Sequence, residues 1–233
     1  MQDFAANPDA YNIKTLKKSF LESGRIDAEY YLPKYEDYVK AVSAYAGGVA
    51  PLGEVCTIKD SNYTPEHGMK YRYVELANIG KSGDITGCTY ENGEDLPTRA
   101  RRIVTQGDVI VSSIEGSLSS CALITEDYDN ALCSTGFYVV RSAQINSETL
   151  LTLFKSFPIQ QLLKKGCSGT ILTGIGKQEF ENILIPLIRP EVQKEIAQHI
   201  RQSFSLRKEA SQLLEEAKLS VEHVIETGGV VNA

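Results

Sequence analysis

The sequence predicts an α+β protein in which a helical lead-in, a mixed α/β domain and one long helix follow one another. Three observations predict this. Apolar residues recur at helical spacing in the first fifty residues, and short β-branched and aromatic runs separated by Gly, Asp and Asn fill the middle. An unbroken helical pattern then closes the chain. We expect an N-terminal helical segment over residues 1–50, a mixed α/β domain over 51–187, a long coiled-coil-type helix over 188–227 and a tail over 228–233.

The lead-in is predicted to be helical from residue 11 to residue 46. Leu16, Phe20 and Leu21 lie at i, i+4 and i+5, and after a turn at Ser23–Gly24 a second helical stretch runs from Asp27 to Ala46. Gly47–Gly48 and the following Pro51 break the pattern, so the first boundary is placed there.

The middle region is predicted to alternate strands with one helix. The strand candidates are Val55–Ile58, Tyr71–Val74, Val109–Val111, Ala122–Ile124 and Phe137–Val140. Ser147 to about Lys165 is predicted to be one helix, because Leu150, Leu151, Phe154, Phe157, Leu162 and Leu163 share an apolar face.

The last third is predicted to be a single helix from Pro190 to about Glu226. Pro at the first helical position and Glu in the first turn suit a helix N-terminus. The 3-and-4 spacing of its apolar residues resembles a coiled-coil seam, which an isolated helix cannot bury. We expect a partner helix on Ile196, Ile200, Leu206, Leu213, Leu214, Ala217, Val221 and Val224. The alternative is that this stripe packs on the chain's own globule.

Composition excludes several classes of protein. With 42% hydrophobic and 23% charged residues, the chain has an ordinary globular composition. The five cysteines contain no C-x-x-C pair, which favours reduced thiols over a disulfide scaffold or a zinc site. No signal-peptide pattern and no apolar run of membrane-spanning length are present, so we expect a cytoplasmic protein. The net charge of −6 counts against an electrostatically driven nucleic-acid binder.

The sequence gives no reason to expect catalysis, a cofactor or a metal. Asn78–Ser82 reads like the tail of a phosphate-binding loop, but Glu75 stands where the first Gly is needed. His67, His199 and His223 have no metal-ligand or triad spacing. Ser112 and Ser113 lack a nucleophile elbow, and no carboxylate cluster suited to Mg²⁺ occurs.

Several segments in order resemble the specificity subunit of type I restriction–modification systems. They are Ser23–Tyr31 with Pro33–Tyr35, Pro51–Val55 followed by Tyr63–Pro65, Gln106–Ser112, Ser168–Thr170, Ile183–Leu187 and Pro190–Ala197. Each piece alone is weak, and their order and spacing are more specific. The family more often has Glu where Val192 stands.

The resemblance implies a non-catalytic subunit that recognises double-stranded DNA. Subunits of this family normally carry two recognition domains and two long helices, which hold the domains apart and dock the modification (methyltransferase) subunits and possibly the restriction subunit. This chain matches half of that plan, with the recognition domain over 51–187. It is either a half-length subunit that pairs with itself or a fragment of a longer chain. A homodimer through the long helix would read a palindromic, interrupted target.

Three loops are expected to contact DNA, because base edges need donors and acceptors and phosphates need cations. The first loop supplies Lys59, Asn62, Tyr63, Thr64, Lys70, Tyr71 and Arg72. The second supplies Arg99, Arg101 and Arg102, and the third supplies Lys164, Lys165, Ser168, Thr170 and Lys177. Each cluster could equally be an ordinary solvated surface.

Two other functions are left open by the sequence. A coiled-coil adaptor whose globule binds a protein partner fits the acidic charge and the long apolar helix equally well, and would show a large exposed apolar patch on the globule. A catalytic fragment of a restriction enzyme is disfavoured by the missing metal and cofactor motifs.

Overall fold

The structure, a computed structural model, describes residues 12–21, 24–169 and 173–228. The helices are α1 (Pro33–Ser43), α2 (Leu52–Val55), α3 (Ser147–Lys155), α4 (Phe157–Gly166), α5 (Lys177–Glu181) and α6 (Pro190–Glu226). The strands are β1 (Val49–Pro51), β2 (Cys56–Lys59), β3 (Lys70–Val74), β4 (Thr89–Asn92), β5 (Ala100–Ile103), β6 (Val109–Ser112), β7 (Cys121–Leu123), β8 (Leu132–Ser134), β9 (Phe137–Ser142), β10 (Cys167–Ser168), β11 (Gly174–Ile175) and β12 (Leu184–Pro186). The predicted α+β class is confirmed.

Two four-stranded sheets form the centre of the globule. The central sheet has the order β2-β9-β6-β7, and the outer sheet has the order β4-β3-β8-β5 with β3 and β8 parallel. Alternate residues of β6 point to opposite faces. Val109 and Val111 pack with the helices, whereas Ile110 packs against the outer sheet. The short β8–β9 connection carries the chain from one sheet to the other.

A small pair of strands joins the lead-in to the start of the long helix. β1 pairs antiparallel with β12, and α6 begins four residues after β12 ends. α1 packs against α4 and β12, with Tyr35 and Val42 buried. The lead-in and the end of the mixed domain therefore form one layer.

The lead-in is less helical than predicted. Lys17–Leu21 form a π-helical turn, Glu29–Tyr31 form a 3-10 turn, and the α-helix covers only Pro33–Ser43. Leu32, which precedes a proline, has extended backbone with ψ of 133°, and this conformation starts the helix at Pro33.

The prediction of a single helix from Ser147 to Lys165 is wrong. The structure has two helices, α3 and α4, which are divided at Ser156. Pro158 has no N–H with which to continue the helical ladder onto the carbonyl of Phe154. The Gln160 side chain takes that place, since its Nε2 donates to Phe154 O at 2.6 Å. The five predicted strands are present as β2, β3, β6, β7 and β9, within two residues at each end.

The long helix α6 begins and ends where predicted, and it divides into two parts. The proximal half, Pro190–Phe204, packs on the globule through buried Gln193 and Ala197, with Ile200 and Phe204 against the main core. The distal half, Ser205–Glu226, is exposed at every position. It extends about 33 Å at ~1.5 Å per residue. The apolar stripe of α6 was expected either to meet a partner helix or to pack on the chain's own globule. Ile200 packs on the globule, whereas Leu206, Leu213, Leu214, Val221 and Val224 are exposed.

Two side chains, Gln193 and Arg201, fasten the proximal half of α6 to the globule. The Gln193 Oε1 accepts from Asn146 N at 2.8 Å, and its Nε2 donates to Ile188 O at 2.8 Å. Arg201 Nε donates to Glu148 Oε1 at 2.6 Å. In the part of the chain that the structure describes, no helix is both long enough and apolar enough to cross a bilayer.

Candidate nucleic-acid interface

The three loops predicted to contact DNA are linked to one another in the structure. Tyr63 N donates to Arg101 O at 2.8 Å, which fastens the first loop to the second. Lys177 in the third loop forms an ion pair with Asp60 in the first. This hydrogen bond, reinforced by the lysine charge, lowers the pKa of the Asp60 carboxyl. Residues from three distant parts of the sequence therefore share one side of the globule.

The third loop is held by backbone bonds to the segment that follows β6. Ile175 N donates to Ser113 O at 2.8 Å, and Glu115 N donates to Thr173 O at 3.0 Å. A Cβ at Gly174 would lie 2.6 Å from Ser113 O, so only glycine allows this approach. The Gly-rich sequence of the third loop thus serves packing onto the loop after β6.

A cleft of about 550 Å³ opens where the ends of several strands meet. Its walls come from the ends of β3 and β6, the β8–β9 turn and the residue before β5. The lining residues are Glu75, Leu76, Ala77, Arg99, Ser113, Ile114, Ser134, Thr135 and Gly136. Hydroxyl groups, backbone amides and one guanidinium converge there, and these are the groups that read base edges and phosphates.

Arg99 is the cation of this cleft, and its position is fixed by two partners. Its Nη2 donates to Glu75 Oε2 at 2.8 Å, and its Nε donates to Tyr73 Oη at 3.3 Å. Both hydrogen bonds stabilise the charged guanidinium and raise the pKa of Arg99 above its ordinary value. The guanidinium remains exposed, so it is oriented in advance while still open to a ligand.

Sequence reasoning missed three hydroxyl residues of this cleft: Ser113, Ser134 and Thr135. The available signal is their position at strand ends: Ser113 directly follows β6, Ser134 ends β8 and Thr135 directly follows it. The β8–β9 turn was not singled out, because Leu132–Ser134 is too short to stand out as a strand.

Lys59 is directed into the protein. Its Nζ donates to Asp108 Oδ2 at 2.6 Å and to Thr105 Oγ1 at 3.0 Å. Arg141 Nε donates to Asp108 Oδ1 at 2.8 Å, and Thr105 N donates to Oδ2 at 2.8 Å. Gly107, at φ of 87°, allows the turn that brings Asp108 inwards. We call Lys59, Thr105, Asp108 and Arg141 the carboxylate clamp. Its geometry gives Lys59 and the Gly-Asp motif a structural task.

Most other predicted DNA contacts have partners within the chain. Lys164 faces Glu115 at 3.9 Å, Lys165 lies over the Tyr30 ring at 4.3 Å, and Lys70 lies over the Tyr90 ring at 5.5 Å. Burial lowers the pKa of Lys165. Arg101 Nε donates to Thr98 O at 2.9 Å. Such contacts orient these cations, and their role toward DNA stays a prediction.

The remaining predicted contacts fall into exposed, paired and undescribed groups. Asn62, Thr64, Arg72 and Ser168 are exposed. The hydroxyls of Tyr63 and Tyr71 lie 2.8 Å apart, and this contact raises the pKa of Tyr63 to about 12. Within the described residues, Arg102 Nε and Nη1 are buried without a hydrogen-bond partner. Thr170 lies outside the described residues.

The described residues contain no group of three or more His, Cys, Asp or Glu side chains placed to hold a metal ion. The lining of the cleft offers hydroxyl groups and one guanidinium. Its hydroxyls have no histidine within the lining set to act as a base.

Comparison with known families identifies the globule and most of the long helix together. The family described as "Type I restriction modification DNA specificity domain" matches residues 48–218. The chain belongs to this family. The match runs from just before β1 into the distal half of α6, so the type I specificity domain includes both the two-sheet globule and the projecting helix.

Solved structures agree with the type I assignment. The HsdS subunit from Thermoanaerobacter tengcongensis matches with a TM-score of 0.60 and 29% identity over 78% of this chain and 48% of that chain. A chain from a study of complex assembly and conformational transition of the type I R-M system matches with a TM-score of 0.59, 29% identity and the same coverage. The S subunit from M. genitalium shares the fold, with a TM-score of 0.55 at 15% identity over 78% of this chain and 46% of that chain. The specificity domain described here thus spans about half the length of these chains. A search of curated proteins finds no match.

Proposed function

We propose that this chain is the DNA-recognition subunit of a type I restriction–modification complex and reads one half of a bipartite target. One observation carries the proposal: a single type I specificity domain continues directly into one helix whose distal half is exposed at every position, with an ion pair between Lys208 and Asp127 at 3.7 Å linking its first turn to the globule. The globule presents a polar cleft, and the helix that follows it presents an exposed apolar stripe. Recognition and assembly are thereby assigned to different parts of the chain. The chain contributes no catalysis of its own in this proposal.

Recognition is assigned to the cleft and the three loops around it. Arg99 offers a bidentate donor suited to guanine or phosphate, and the Ser113, Ser134 and Thr135 hydroxyls can donate or accept. The net charge of −6 implies that this chain alone binds DNA weakly. The modification subunits would supply much of the phosphate contact, and binding would depend steeply on salt.

Assembly is assigned to the distal half of α6. Its exposed apolar side chains include Leu206, Leu213, Leu214, Val221 and Val224. An exposed apolar stripe of this kind is typical of an interaction surface, because contact with water does not stabilise it. We propose that this stripe forms a homodimer and docks the modification subunits. The two-fold axis of such a dimer would place two cleft sites in inverted orientation, which predicts a palindromic, interrupted target. A subunit that acts on cellular DNA would work in the cytoplasm.

The exposed surface of the globule supports DNA recognition over the adaptor function. An adaptor would need a contiguous apolar patch there. Among the described residues between Pro33 and Phe204, the exposed large apolar residues are Met69 just before β3, Tyr90 on β4, Ile103 on β5 and Phe157 on α4.

The test combines mass measurement with DNA selection. Light scattering on the purified chain, with and without its candidate modification subunit, should give a dimer of twice 25.7 kDa that then captures modification subunits. The assembled complex should enrich one interrupted palindrome from randomised duplex DNA. A complex that forms but enriches no sequence would contradict DNA recognition. A chain that stays monomeric and captures nothing would contradict the assembly role.

A further inference from the structure

Residues 12–21, the basic segment, turn their large apolar side chains toward solvent. Ile13 is 87% exposed, Leu16 is 71% exposed and Leu21 is 71% exposed, and Phe20 beside them is also exposed. The segment carries three lysines, Lys14, Lys17 and Lys18, and no acidic residue. An apolar surface with a basic border so close to the globule is typical of an interaction site.

The attachment of the basic segment to the globule is polar. Lys14 Nζ donates to Glu36 Oε1 at 2.7 Å, and Asn12 Nδ2 donates to the same oxygen at 2.9 Å. The Tyr31 hydroxyl contacts Ser19 O at 2.8 Å. A segment that packs for its own stability normally buries its apolar side and leaves its polar side in water. Here the polar contacts fix the segment to α1 and leave the apolar side facing outwards.

The same chain carries a surface of complementary character in the distal half of α6. From Ser205 to Glu226 the helix has five glutamates and three basic residues, and beyond Lys208 it has five glutamates and one lysine, in addition to its exposed leucines and valines. The apolar residues can cover one another, and the glutamates can meet Lys17 and Lys18, which are exposed. Charge complementarity of this kind selects a partner and fixes its orientation more than it adds affinity.

The two surfaces belong to different copies. α6 is one unbroken helix from Pro190 to Glu226, and every residue of its distal half is exposed, so beyond the ion pair between Lys208 and Asp127 this half covers little of the described part of its own chain. We propose that the basic segment of one copy is the docking surface for the distal half of α6 from a second copy. With a two-fold axis each copy gives one helix and receives one, so both apolar surfaces are covered.

This inference rests on the proposed homodimer and adds a second contact to it. In a dimer held by α6 alone, the helices would pair with each other, and residues 12–21 would stay exposed. In the proposed arrangement the helix of one copy reaches the lead-in of the other. The lead-in thereby becomes part of the assembly surface, although it lies outside the matched residues 48–218.

Photo-crosslinking between isotopically distinct copies tests the contact. A photoreactive phenylalanine analogue replaces Leu16 in full-length chain, and ¹⁵N-labelled and unlabelled copies are mixed before irradiation. Crosslinked peptides should join residue 16 of one isotope to residues 205–226 of the other. Met69, also an exposed apolar side chain, is the matched control position and should give no such peptides.

Other crosslinks overturn the proposal in distinguishable ways. Same-isotope crosslinks from position 16 to residues 1–11 would show that the chain covers the segment itself. A particle of twice 25.7 kDa with crosslinks elsewhere would leave the homodimer standing and remove only the docking surface. A monomer would remove both, while DNA selection by the assembled complex is judged separately.

Charge reversal gives a second, independent test. The pair Lys17→Glu and Lys18→Glu should weaken the dimer roughly tenfold in sedimentation experiments at low salt. Adding Glu215→Lys and Glu216→Lys should restore most of that loss. A dissociation constant that changes by less than about twofold in the first variant, or no recovery in the second, contradicts the pairing.

Discussion

Replacing Asp108 with asparagine tests whether the Gly-Asp motif serves the fold. The buried carboxylate accepts from Lys59, Thr105 N and Thr105 Oγ1 through Oδ2, and from Arg141 through Oδ1. Asparagine has the same shape, but its amide nitrogen would face one of these donors, and its oxygen carries no charge. With the amide nitrogen toward Arg141, the change removes one hydrogen bond outright and weakens the three that Lys59 and Thr105 donate to the remaining oxygen.

The expected cost follows from the exposure of the cations. A hydrogen bond to a charged group contributes about 1.5–3 kcal/mol. Asp108 is fully buried, whereas the side chains of Lys59 and Arg141 are 35% and 44% exposed, so both cations can regain water. In the variant the neutral amide is less costly to bury than the carboxylate, and this offsets part of the loss. We expect Asp108→Asn to lower the free energy of unfolding by about 2–3 kcal/mol and the Tm by about 5–10 °C.

Urea and thermal unfolding, followed by circular dichroism, measure this change. Lys59→Met should cost less, about 1 kcal/mol, because Asp108 keeps Arg141 and Thr105. Asp127→Asn is the matched control, since the ion pair of Asp127 with Lys208 is exposed on both sides and its loss should change stability by less than about 1 kcal/mol. A stability of Asp108→Asn equal to that of the control would refute the reasoning. A Lys59→Met variant of normal stability that loses DNA binding would return Lys59 to the DNA interface.

Three further predictions concern the cleft, the helix and the thiols. Arg99→Ala should weaken binding of the assembled complex to its selected target about tenfold in a fluorescence titration, with Lys194→Ala as control, and an unchanged affinity would contradict the cleft assignment. Leu213→Asp should give a monomer by light scattering with an unaltered circular dichroism spectrum, because that side chain is already exposed, and a persistent dimer would exclude the stripe. Burial raises the pKa of the Cys56 thiol to about 11 and the pKa of each of the Cys121, Cys133 and Cys167 thiols to about 12. Iodoacetamide at pH 8 should therefore label Cys88 first, as measured by peptide mass mapping. The unfolded chain loses these protons near pH 9, so stability should fall as the pH rises from about 9 toward 12, and a flat profile would contradict this.

Local patterns explain which elements could be predicted. The bounds of α6 follow from Pro190 at the first helical position and from a sustained apolar spacing, both of which are contained within the helix itself. The break at Ser156 was also encoded locally, by Pro158, but the continuous apolar face on either side obscured it. β8 was missed because three buried residues give no period to detect.

The site could be predicted only in outline, because its contacts join distant residues. Lys59 lies 49 residues from Asp108 in sequence, and Arg141 lies 33 residues from it. The residues next to a lysine or arginine in sequence do not show whether its side chain pairs with a distant carboxylate or stays exposed to a ligand. Composition therefore located the loops, whereas only the fold distinguishes the inward Lys59 from the exposed Arg99.

The way in which the loops are fastened also bears on how specificity changes over time. The bonds Tyr63 N to Arg101 O, Thr135 N to Arg99 O and Ile175 N to Ser113 O use only main-chain atoms. Every residue type can accept such a bond and every type except proline can donate one, so side chains around the cleft can be exchanged without loosening the loops. Gly174 is the exception, because any side chain there would meet Ser113 O. Under the proposed function, new target sequences would be accessible by point substitution of these side chains on an unchanged main-chain scaffold.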